Sequence, residues 1–89
     1  MYELAMPRPI KPALERVART LCSRAGHPEN IQFEGKPMWQ SYLADAHAVL
    51  VAIRVPSAAM MEAAAKHEGK RAAEIYTAMI DAALDEALN

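Results

Sequence analysis

Residues 33–42 read FEGKPMWQSY, and a Gly-Lys pair ahead of a helix is a place where a phosphate could sit. A phosphate loop of the Walker kind needs G-x-x-x-x-G-K-[ST] between a strand and a helix. Here the upstream glycine is missing, Pro37 stands where Ser or Thr is required, and no strand signal precedes. The stretch reads instead as a helix start, with Gly35 bending into it, Pro37 at its first position and Trp39 as an aromatic anchor. What survives functionally is a weaker idea. Free N–H groups at that helix start, with Lys36 beside them, could attract an anion.

Cys22 is the only cysteine, so it forms no internal disulfide and gives no sign of an oxidising compartment. A catalytic thiol needs a positioned histidine. The nearest, His27, lies five residues on and past a helix stop, so a buried, inert thiol is the expectation. His27, His47 and His67 are too scattered for the short ligand spacings of a zinc site. No nucleophile–base pair, catalytic carboxylate pair or cofactor loop emerges either, so the expectation is a non-enzyme with no metal and no cofactor.

The charges are more suggestive. Asp81, Asp85 and Glu86 crowd the end of the last helical stretch, where acids oppose the helix dipole. The plainer reading is a solvated face with internal or inter-subunit ion pairs; the functional one is a dock for a basic protein surface, with Met60 and Met61 as adaptable apolar contacts. Arg16, Arg19, Lys70 and Arg71 are the candidates for contacts to nucleic-acid phosphates, which is the alternative reading.

The elements that must position these residues are legible as helices. Formal net charge is -1 over 89 residues, so bulk charge selects neither a nucleic acid nor a membrane. Alanine dominates and β-branched residues never alternate, so the prediction is all-α with no strand. Leu14, Val17, Ala18 and Leu21 mark a helix over 12–25, stopped by Gly26. Trp39, Tyr42, Leu43, Ala46, Val49, Leu50 and Ile53 mark a central helix over 37–54. A short helix over 58–67 follows, with Ser57 as its N-cap, and a last one over 70–88 carries Ile75, Tyr76, Met79 and Ile80. Trp39, Tyr42, Leu50, Ile53 and Ile80 are the expected core anchors, and Ile31 and Phe33 should tuck the 26–36 loop onto that core. Residues 1–11 read as an extended, proline-containing arm and 12–89 as one helical domain, a compact bundle of three longer helices and one short one. So small a chain is expected to finish its core by forming a homo-oligomer. No apolar run is long enough to span a bilayer and no secretory signal is evident, which suggests a cytoplasmic protein without membrane contact.

WQSYLADAHAVLVAIR, PSAAMMEAA and AMIDAAL together resemble the frame of small helical proteins from alphaproteobacterial genomes, prophages and phages. The matching positions are Trp39, Arg54, Pro56, Ser57, Ala59, Met60 and Ala78 to Leu84. ERVARTLC also fits, so the likeness spans most of residues 14–86 and leaves MYELAMPRPIKP outside. The resemblance implies a helical fold and a mobile-element origin, and it implies no activity. From it, and from the separated basic and acidic ends, comes the functional expectation: a protein-binding module acting in a bacterial host cell on a host complex, for example as an anti-CRISPR-like inhibitor. A small nucleic-acid-binding regulator and a structural homo-oligomer, such as a phage assembly accessory, are the alternatives.

Overall fold

The structure is a computed structural model and describes residues 10–86. The N-terminal arm and the last turn expected up to Leu88 lie largely outside these residues. The chain packs as two units that divide between Ala52 and Ile53. The first holds α1 (Ala13–Arg24), β1 (Gln32–Phe33), β2 (Lys36–Pro37), a 3-10 turn (Met38–Tyr42) and α2 (Leu43–Ala52). The second holds α3 (Ala58–Lys66) and α4 (Ala72–Leu84). The chain is therefore mostly helical, with four α-helices among the described residues and one small antiparallel sheet.

α1 starts after Pro12, whose carbonyl takes the first bond, from Arg16 N–H at 3.0 Å. It stops as expected at Gly26, which sits at φ +90°. His27 N–H reaches back to the Cys22 carbonyl at 3.1 Å and Gly26 N–H to Ser23 at 3.0 Å. These are the two bonds of a Schellman stop, which settles the last free carbonyls of the helix. α1 packs on the 3-10 turn and on α2. Ala18, Cys22 and Ala46 are fully buried between them.

The sheet corrects the strand-free prediction. Gln32 pairs with Pro37 and Phe33 with Lys36. Between them Glu34 and Gly35 both have positive φ, +53° and +82°. A two-residue hairpin of type I′ has that conformation at both central positions, because its twist matches the flanking strands. Strands of two residues are too short to show alternation, so the only available signal was the Glu-Gly pair. Pro37 is consequently extended, with ψ 141°, and does not open a helix. Nor do Ile31 and Phe33 tuck inward, being 53 % and 45 % exposed.

The expected helix over 37–54 is thus shorter and of two kinds, a 3-10 turn running into α2. Trp39, Tyr42 and Leu50 are half-buried. Ile53 falls past the end of α2 and is 46 % exposed, so it is not a core anchor.

In the second unit α3 packs against α4. Ser57 caps α3 as expected, its Oγ accepting from Met60 N–H at 3.3 Å. The Ser57 N–H in turn meets the Met60 sulfur at 3.4 Å, a thioether doing the work usually given to Glu or Gln. Among the described residues Met60 is the one buried apolar residue of this unit, and Ile80 is half-buried. No described helix is long and apolar enough to cross a membrane.

Candidate functional site

The first unit is organised around Arg19. Its Nε donates to Glu15 Oε2 at 2.8 Å, one helical turn back. Its Nη1 donates to Glu29 Oε1 at 3.1 Å and to Asn30 Oδ1 at 3.2 Å. The guanidinium also lies over the Trp39 ring, 4.8 Å from the centroid. Arg19 therefore joins α1, the loop and the 3-10 turn at one point, as a planar fork can and an ammonium cannot. The bonds to Glu15 and Glu29 raise its pKa further above an already high value. Proposed from sequence as a phosphate contact, Arg19 is placed in an internal cluster with two acids.

The same loop disposes of the anion idea at Gly35-Lys36. Lys36 belongs to β2, in a hairpin, and not to a helix start. The first donors of the following turn are already used. Met38 N–H bonds the Ile31 carbonyl at 2.7 Å and Trp39 N–H the Glu29 carbonyl at 3.1 Å.

Cys22 is enclosed where α1 ends. Its Sγ lies 3.5 Å from the His27 carbonyl and 3.9 Å from that of Pro28, so the thiol can donate weakly to either. Burial pushes its pKa up, and the negative charge of Glu29 adds to the shift. A thiol held in its protonated form is a poor nucleophile. The His27 ring lies 6.5 Å from that of Tyr42, tilted by 41°.

In the second unit an open groove runs along α4, lined by His67, Lys70, Glu74, Thr77 and Asp81. His67 Nδ1 is 2.9 Å from the Ala63 carbonyl and donates to it. The groove mixes both signs of charge. No group of three or more His, Cys, Asp or Glu placed to hold a metal occurs among the described residues.

The remaining sequence candidates separate. Asp81 and Asp85 are exposed on α4 and at its end. Glu86 is engaged, since its carboxylate accepts from Ser57 Oγ. Met61 is 53 % exposed, whereas Met60 is 8 % exposed and is taken up by the cap and the α3–α4 contact. Arg16, Lys70 and Arg71 are exposed. The Arg19 cluster was missed in sequence reading, although Glu15 and Arg19 at i,i+4 are a readable half of it.

The fold and these sites define a small, mostly helical chain with a two-strand hairpin. No family model matches the sequence, and no curated protein or solved structure matches it significantly.

Proposed function

We propose that this chain is a non-enzymatic protein-binding module, one that completes its thin core against another protein surface, including a second copy of itself. The observation that carries this reading is α2. Its sequence, LADAHAVLVA, has only Asp45 and His47 as polar side chains. A helix apolar on nearly every side belongs in an interior. Yet Ala44, Ala48 and Ala52 are exposed, and Val49 and Val51 are 40 % and 52 % exposed. Met61, Tyr76 and Leu84 of the second unit, at 53 %, 57 % and 77 %, add to the same surplus. Apolar surface of this kind on a small chain marks a contact surface. Asp81 and Asp85, exposed on the second unit, would add charge to a contact made there. The more specific version, a phage-borne inhibitor of a host complex, is supported by the sequence resemblance alone.

The test pairs sedimentation velocity of the full chain with affinity capture from bacterial lysate, with and without nuclease. The expected result is a homo-oligomer or a nuclease-resistant stoichiometric protein, lost in Val51→Lys while helix content is unchanged. A chain that stays monomeric at every concentration and captures no protein would refute the reading.

A further inference from the structure

The structure sorts the arginines of α1, and the sorting exposes a second surface unrelated to the apolar one. At about 100° per residue, Arg16, Thr20, Ser23 and Arg24 fall within an arc of about 100° on one side of the helix. All four are exposed. Cys22 and Ala18, both buried, mark the opposite side. The acids nearest this face are withdrawn from it, since Glu15 and Glu29 are both held by Arg19 on the flank. Arg16 and Arg24 pair with no acid among the described residues, where Arg19 makes the ion pairs. Lys11, also exposed, precedes the helix on the same unit. Thr20 Oγ1 donates its proton to the Arg16 carbonyl at 2.9 Å, so the exposed Ser23 hydroxyl is the one on this face left to donate.

We infer that the outward face of α1 is a contact surface for the sugar–phosphate backbone of a nucleic acid. Two guanidinium groups flanking a hydroxyl that can donate are side chains that bind phosphate oxygens. Arg16 and Arg24 are about 12 Å apart along the axis, enough to reach more than one phosphate of a strand spaced at about 3.4 Å. The contacts are to phosphate oxygens, which carry no sequence information, so the binding proposed is independent of sequence. Lys70 and Arg71 belong to the second unit. They share their unit with Glu74, Asp81 and Asp85, which repel phosphate.

The test is fluorescence anisotropy of the full chain with a labelled, mixed-sequence DNA duplex across a salt series. Three phosphate contacts predict a log–log salt slope of about −2.7, a loss of about 40-fold between roughly 50 and 200 mM salt. Arg16→Ala and Arg24→Ala should each bring the slope to about −1.8 with helix content unchanged. Lys70→Ala should leave it alone, and a scrambled duplex should bind equally. Failure to bind at low salt, or a slope indifferent to Arg16 and Arg24, would overturn the assignment. So would a polyglutamate peptide that binds as tightly as the duplex, which would give the face to an acidic protein.

Discussion

Ser57 holds the second unit at two points, and removing its hydroxyl tests whether that unit is organised as described. The Oγ accepts from Met60 N–H at 3.3 Å, capping α3, and donates to the Glu86 carboxylate just beyond α4. Loss of an N-cap hydroxyl costs about 1 kcal/mol. The Glu86 bond is exposed, so its share is smaller, about 0.5 kcal/mol. Ser57→Ala should therefore destabilise the α3–α4 unit by about 1.5 kcal/mol, close to a tenfold change in its opening equilibrium. Amide hydrogen exchange read by mass spectrometry over residues 58–66 measures that equilibrium directly. Glu86→Gln isolates the smaller part and should speed exchange by about twofold. Ser57→Gly should cost less than Ser57→Ala at the cap, since glycine is itself tolerated there. If Ser57→Ala changed exchange in α3 by less than about twofold, or Glu86→Gln alone reproduced the full effect, the cap would not be what holds this unit together.

Three further outcomes follow from the first unit. Gly35→Ala should cost about 1 kcal/mol in urea unfolding followed by Trp39 fluorescence, because φ +82° strains any Cβ even though nothing lies within 4 Å of it. A variant as stable as the parent would refute the hairpin turn. Arg19→Ala should shift Trp39 emission to the red and raise its quenching by acrylamide, and Arg19→Lys should not restore the parent spectrum, because the ammonium lacks the fork; unchanged spectra would break the Arg19–Trp39 assignment. Cys22 should resist alkylation in the native chain and react freely in urea. Its raised pKa means that the protonated thiol is favoured by folding, so the stability it confers is whole below the ordinary thiol pKa and declines as pH rises through it. Cys22→Ala should flatten that alkaline decline, and a decline unchanged in the variant would place its cause elsewhere.

Where the sequence was readable, one residue decided each feature locally. Gly26 ends α1 because only a residue tolerant of positive φ allows both Schellman bonds, and that is visible without any neighbour in space. Ser57 after Pro56 is equally local. The failures lie in the segment between them. The hairpin has two residues per strand, so no period could announce it, and Pro37 looked like a helical first residue because proline suits both states at φ −58°. Its ψ of 141° is set by pairing with Gln32 across the turn, a non-local fact. Ile53 continued the apolar period in sequence, but the period ran on after the helix had ended at Ala52.

The arginines show the same division more sharply. Charge counting put Arg16 and Arg19 in one class, and helical spacing alone begins to part them, since Glu15 stands four residues before Arg19 and can reach it. What completes the separation is the loop. The Glu29 and Trp39 backbones are tied together by the Trp39 N–H bond, and that tie sets an acid, an amide and an aromatic face around one guanidinium. Once Arg19 absorbs Glu15 and Glu29, the outer face of α1 is left cationic without any change in composition. A chain of net charge -1 can thus present a cationic helix face, because the sign of a surface depends on which charges the fold has already used.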